Sequence, residues 1–233
     1  MANDRNMWAW TNFARIDLKP EEFDRAIFQK GARIIWEKAM LCSCIDEFSG
    51  QPDFNCTSCK GKSFVYFDPI ETRAVVSGIG GDNQNIPIGL IDVGTAYLTT
   101  QSTDPVNFRD RITFPDMTTA YSQVLKYEGE SVELKYTAKD LLSIRVLGTE
   151  IPKESYSLSE DGTKIEFEPG VLAYGDKFSV LLRINPVYIV IDMPHDLRGT
   201  FVVFGKPEEE WVTLPKQLII KREDLMPLKR GDI

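Results

Sequence analysis

The chain reads as a mainly β protein: a small β-barrel with a zinc-clamped hairpin, one short N-terminal helix and an inserted β-sandwich-like unit. Three observations predict this. Short apolar-rich runs recur between Gly, Pro, Asn and Asp from residue 31 onward, the spacing of strands and turns. One stretch, Pro20 to Lys30, carries helix signals at both ends. All four cysteines of the 233 residues fall between positions 42 and 59, as C-S-C and C-T-S-C with eleven residues between the pairs.

Composition sets the limits. Apolar residues make up 42% and charged residues 27%, so a packed core is feasible and disorder is not expected. Net charge is −8, from 27 basic and 35 acidic side chains. Phosphate repulsion then opposes broad nucleic-acid binding, although a local basic patch remains compatible with it. The opening residues MANDRNMWAWTNF hold no apolar signal core. No run approaches the roughly 20 apolar residues of a membrane span. A cytosolic site of synthesis follows as the expectation, with reduced thiols, which favours metal over disulfides.

The elements follow in order. Residues 1–30 form an N-terminal arm and helix. Trp8, Trp10 and Phe13 sit in the arm, either as a docking device or as an apolar strap. In the helix, Pro20 suits the first turn, Glu21, Glu22 and Asp24 suit the positive end of the dipole, and Gly31 suits the C′ position. Phe23, Ala26 and Ile27 share its apolar face. Residues 31–122 and 187–225 are read as a β-barrel carrying the four-cysteine hairpin (42–59). Its strands are expected at Arg33–Met40, Ser63–Phe67, Arg73–Ser77, Ala96–Thr100 and Arg111–Phe114, with a loop at Gly78–Pro87. Residues 123–186 are the inserted β unit. Strands are expected there at Val132–Tyr136, Ile144–Leu147, Tyr156–Leu158, Lys164–Phe167 and Lys177–Ile184, with Asp161-Gly162 as a hairpin turn. Val187–Ile191, Thr200–Phe204 and Leu218–Lys221 are expected to rejoin the barrel. Residues 226–233 are a tail.

The chemistry concentrates in the cysteines. Cys42, Cys44, Cys56 and Cys59 present two close pairs of soft ligands, the supply pattern of a tetrahedral Zn²⁺. The C-T-S-C-K-G-K half has the shape of a zinc knuckle, with Gly61 letting backbone amides turn toward the sulfurs. Four thiolates fill the tetrahedron and leave no position for a reacting water, so the expected zinc is structural, not catalytic. The alternative is four reduced thiols without metal. Other motifs carry less. Gly61-Lys62-Ser63 lacks the upstream glycine of a phosphate-binding loop, since that place is Cys56. His195, the lone histidine, lies in the turn Met193-Pro-His-Asp with no nucleophile signature near it. Asp46-Glu47, Glu208-Glu209-Glu210 and Glu223-Asp224 read as solvated charge runs. Lys216, Lys221, Arg222, Lys229 and Arg230 make the C-terminal end locally basic, and Arg230-Gly231-Asp232 reads as a chance tripeptide. The sequence singles out no catalytic residue and no organic cofactor site.

The order of parts carries a resemblance. The cysteine hairpin C-S-C…C-T-S-C-K-G-K-S-F-V-Y comes first. Then come G-L-I-D-V-G-T-A-Y-L-T-T (Gly89 to Thr100) and D-R-I-T-F-P-D (Asp110 to Asp116). An inserted unit with Y-S-L-S-E-D-G-T-K-I-E-F follows. N-P-V-Y-I-V-I-D-M-P-H-D-L-R (Asn185 to Arg198) and L-P-K-Q-L-I-I-K-R-E-D-L (Leu214 to Leu225) close the series. Across residues 31–225 this resembles the virion neck proteins of tailed bacteriophages, of the head-closure or head-to-tail connector class. The resemblance implies a β-barrel with insertions, assembled as a homo-oligomeric ring between portal and tail that closes or channels packaged DNA. It implies a portal or adaptor protein and tail proteins as partners, a place in the virion, and no enzymatic activity, membrane or small-molecule substrate. At residue level it carries only the cysteines, as zinc ligands. Two other readings stand beside it. One is a zinc-ribbon adaptor that binds nucleic acid through Lys60 and Lys62. The other is a hydrolase acting through two carboxylates, though no pair is singled out.

Overall fold

The computed structural model describes residues 20–78, 93–129, 131–194, 199–202 and 210–226. Trp8, Trp10, Phe13, most of the loop Gly78–Pro87, His195, Glu208, Glu209 and the Arg230–Asp232 tripeptide lie outside them. The chain is mainly β and folds as two compact units. One runs as far as Ile112 and resumes from Tyr188 to Leu225; the other is Thr113–Val187.

The first unit begins with α1 (Pro20–Lys30), followed by β1 (Ala32–Leu41), β2 (Phe64–Gly78), β3 (Thr95–Thr100) and β4 (Arg111–Thr113). The second unit holds β5 (Thr119–Lys126), β6 (Ser131–Glu133), β7 (Ala138–Val146), β8 (Thr149–Glu150), β9 (Tyr156–Leu158), β10 (Lys164–Phe167) and β11 (Lys177–Ile184). The chain then returns through β12 (Val187–Asp192), β13 (Gly199–Val202), β14 (Glu210–Thr213) and β15 (Gln217–Arg222). Six strands close a barrel in the order β1-β2-β3-β15-β12-β4.

Alternation explains the barrel core. In β3 the residues Ala96, Leu98 and Thr100 are buried while their neighbours are half-buried, and Leu218 and Ile220 do the same in β15. Ile34, Trp36, Ile112, Val190 and Ile27 of the helix complete a set shielded from water. Each large apolar side chain so buried stabilises the unit by roughly 1.5–3 kcal/mol. The helix has the expected bounds, but its face is narrower than expected. Ile27 is buried and Phe23 half-buried, whereas Ala26 is exposed. Gly31 does not take the left-handed C′ conformation, since its φ is not positive. It is needed for space: a Cβ there would run into the Ile27 carbonyl oxygen and the backbone of Ala74 on β2.

Two expected strands are one. All of Ser63–Phe67 but Ser63, and all of Arg73–Ser77, belong to the single 15-residue β2. Asp68-Pro69, which reads as a breaker, is absorbed by a bulge. Trp36 pairs with Ile70 and Lys38 with Phe67, so two residues face Glu37 alone. Asp68 takes φ +49 there. A bulge is one of the few places where a strand accepts proline.

Asp110 pins the barrel beside the β1–β4 seam. It is 3% exposed. One oxygen accepts from Trp36 Nε1 and the Asn107 amide, each at 2.8 Å, and the other from the Ala39 amide at 2.9 Å. Its own carbonyl accepts from Val190 N at 3.0 Å. Of Thr200–Phe204, expected in the barrel, the described residues Thr200–Val202 do not join it. The strand there, β13, pairs with β14 as a separate two-stranded sheet from Gly199↔Thr213 to Val202↔Glu210. β14 was not anticipated, because its acidic start reads as a charge run.

The second unit is a two-sheet sandwich. Sheet β5-β11-β7-β8 and sheet β6-β10-β9 share one core. β11 alternates strictly, burying Phe178, Val180, Leu182 and Ile184. Phe167 meets Phe178 edge-on with centroids 5.1 Å apart, a favoured aromatic geometry. Asp161-Gly162 turns the chain between β9 and β10. Gly162 holds φ +71, and the Asp161 carboxylate accepts from Ser159 Oγ, Thr163 N and Thr163 Oγ1.

Candidate metal centre

β1 and β2 are joined by a finger that has little apolar material of its own. Within it Cys42, Pro52, Cys59 and Gly61 are buried, while Phe48 and Phe54 stand in solvent. Its shape comes from turns. The Asp46 carboxylate accepts from the amides of Phe48 and Ser49 and from Ser49 Oγ, which caps the first loop. Those donors hold the Asp46 carboxyl below its ordinary range. The Gly50 amide closes the loop on Asp46 O at 2.9 Å. In the second knuckle, Lys60 N donates to Cys56 O at 2.8 Å and Lys62 N to Cys59 O at 2.9 Å. Lys60 and Gly61 both take positive φ, +49 and +74, which reverses the chain toward β2. Cys42 N, just past β1, donates to Ser63 O at 2.9 Å and ties the two ends of the finger together.

This framework brings the four cysteines together. Their sulfurs all lie within 4.8 Å of one another. The closest approaches run between the knuckles, Cys44 to Cys59 at 3.5 Å and Cys42 to Cys56 at 3.7 Å. All four are free thiols. A tetrahedral ion with metal–sulfur bonds of about 2.3 Å needs sulfur–sulfur edges of about 3.8 Å. The quartet fits that requirement with small adjustment, so it can hold a metal such as zinc.

The backbone treats the sulfurs unequally. The amides of Cys59 and Ser58 donate toward Cys56 and pull its thiol down to about 6. Cys44 goes the other way. Loss of hydration and the neighbouring Cys59 thiol push it up to about 12, against an opposing amide of Asp53. A cation among the sulfurs would favour the thiolate at each of them, so metal binding would release protons.

Several charged residues near the finger are already engaged. Lys62 Nζ meets Glu223 Oε1 at 2.6 Å. Arg222 grips Asp224 through two hydrogen bonds, at 3.0 and 2.6 Å. Glu223 and Asp224, which read as a solvated run, are therefore ion-pair partners on the turn Glu223–Leu225. Lys216 and Lys221 also have partners. Of the two lysines beside the knuckle, Lys62 is committed to Glu223.

The sequence reading placed Asp110 and Arg111 in a phrase and a strand but gave neither a structural role. Asp110 is the barrel pin. Arg111 holds Glu37 in a two-bond pair at 2.6 and 2.7 Å, and its guanidinium lies 4.4 Å from the centre of the Tyr66 ring. No periodicity or motif marks these roles, because the partners Trp36, Glu37, Ala39 and Tyr66 are 45 to 74 positions away. Among the described residues, no helix is long and apolar enough to cross a membrane. No protein-family model matches the chain, and no curated protein matches it.

Proposed function

We propose that the protein is a structural subunit of a tailed-bacteriophage neck, assembling as a ring that joins portal or adaptor to tail and helps close or channel the packaged DNA. In this reading the four thiolates hold a structural Zn²⁺, and the protein works by fitting between neighbours in the virion, not by turnover. The observation that carries the reading is architectural. A closed six-strand barrel bears a metal-capable finger between β1 and β2 and a whole sandwich between β4 and β12. A barrel with insertions is what the resemblance to the neck proteins implies. A filled Cys₄ set would staple the finger without providing a vacant position for chemistry.

Two measurements test the proposal separately. Mass photometry and negative-stain electron microscopy, with and without a portal ring, should give closed homo-oligomers. A protein that stays monomeric and is missing from purified virions would overturn the neck reading. Metal analysis after anaerobic purification should give about one zinc per chain. A clearly substoichiometric value would remove the zinc and leave the assembly reading to stand or fall alone.

A further inference from the structure

We propose that the cysteine quartet is also a double-disulfide site: a low-molecular-weight disulfide such as oxidised glutathione joins Cys44 to Cys59 and Cys42 to Cys56, and those bonds hold the finger closed without metal. The inference rests on the sulfur geometry, not on the neck reading or on zinc. The Cys44 and Cys59 sulfurs stand 3.5 Å apart, and those of Cys42 and Cys56 3.7 Å. A disulfide bond is about 2.05 Å long, so each pair has to close by roughly 1.5 Å, a movement within the reach of side-chain rotation. The backbone that presents the sulfurs is shaped by hydrogen bonds of its own. Lys60 N donates to Cys56 O, Lys62 N to Cys59 O, and Cys42 N to Ser63 O.

Four cysteines allow three pairings, and distance and exposure choose among them. Cys44 and Cys56 are half-buried, whereas Cys42 and Cys59 are buried, at 6% and 3% exposure. Joining Cys44 to Cys59 and Cys42 to Cys56 puts one outer and one inner cysteine in each bond. An oxidant enters at the outer one, and the inner one completes the bond. Joining Cys42 to Cys59 instead would pair the two buried residues and leave that bond without a point of entry. Pairing within each knuckle would forgo the two closest approaches.

The chemistry is thiol–disulfide exchange. The Cys44 thiolate attacks one sulfur of oxidised glutathione; the glutathione S–S bond breaks, and one glutathione leaves as its thiolate. The Cys59 thiolate then attacks Cys44 Sγ; the mixed disulfide breaks, and the second glutathione leaves. Two protein thiols and one oxidised glutathione thus become one protein disulfide and two reduced glutathiones. The two thiol protons end on the glutathiones, which also take up the two electrons. Cys56 and Cys42 react in the same way with a second oxidised glutathione. The new bonds span 15 and 14 positions, and closing such loops removes open conformations from the finger.

The test uses the full-length chain, stripped of metal with a chelator and equilibrated with reduced and oxidised glutathione. Intact mass should fall by the four hydrogens of two disulfides, with no glutathione retained. Tandem mass spectrometry after cleavage at Asp46, Glu47 and Asp53 should find both bonds across the knuckles. Two double variants then separate the crossed pairings. Cys42→Ser with Cys56→Ser leaves Cys44 and Cys59; Cys44→Ser with Cys56→Ser leaves Cys42 and Cys59. The first should form its disulfide faster and at a more reducing glutathione ratio. In the parent, hydrogen exchange at Lys60 and Lys62 should slow by at least about tenfold on oxidation. Disulfides within the knuckles, retained glutathione adducts or bonds only between chains overturn the proposal. So does equal or reversed order of the two variants, or exchange in the finger that oxidation leaves unchanged.

Discussion

Replacing Cys56 by Ser removes the thiolate that the backbone already favours, and its effect should be local. About twenty residues are ordered in the finger, at a backbone cost on the order of 20 kcal/mol. Among them only Pro52, Cys42 and Cys59 bury their side chains, so apolar burial and turn hydrogen bonds offset a few kcal/mol of that cost. Under the proposed zinc reading the metal supplies the balance, since such binding contributes about 10–16 kcal/mol in comparable small sites. A Ser oxygen is a far poorer partner for a soft-ligand site, so Cys56→Ser should bring the finger's opening free energy close to zero. The assay is hydrogen exchange read by mass spectrometry beside metal analysis. Amides of Cys42, Lys60 and Lys62, hydrogen-bonded at 2.8–2.9 Å in the closed finger, should exchange at nearly unprotected rates. Amides of β3 and β15 should keep their protection, because Leu98, Leu218 and Ile220 lie in the barrel core and the finger contributes nothing to it. Two outcomes would refute the reasoning. One is slow exchange in a variant that has lost its metal; the other is loss of protection across finger and barrel in one step.

Two other perturbations probe the units separately. Asp110→Ala strands one buried and two part-buried donors and should cost the barrel about 3–5 kcal/mol, whereas Asp110→Asn keeps one acceptor oxygen and should cost about half of that; denaturant titration followed by hydrogen exchange in β1 checks it, and equal losses would argue against the three-donor account. In the sandwich, the Ser159 and Thr163 donors lower Asp161 from 3.8 to about 2, so its contribution is present above about pH 4 and is lost as pH falls toward 2. Asp161→Asn should flatten that limb of the acid-unfolding curve, measured by near-ultraviolet circular dichroism, and an unchanged limb would assign the acid sensitivity to other carboxylates.

What the sequence made legible, and what it hid, divides along one physical line. β9, β10 and β11 have the bounds that alternation and the Asp161-Gly162 turn predict, because every signal for them lies within the strand or next to it. The cysteine quartet was legible for the same reason: ligand spacing is a local property, and the fold had only to close it. β5 was not, although it spans eight residues. Its exposed positions include Ala120 and Val124 and its half-buried ones include Gln123, so the apolar pattern runs against the burial that β11 imposes. The length of β2 was hidden by Asp68-Pro69, a breaker in isolation that becomes a bulge only once Glu37 stands opposite. Asp110 is the limiting case. Nothing about one aspartate between Arg109 and Arg111 announces a buried acceptor. It becomes one because the Trp36 indole and the Ala39 amide, 74 and 71 positions away, are brought onto its two oxygens. Such pairing is a property of the assembled sheet, and so a carboxylate that holds a barrel seam becomes visible only in three dimensions.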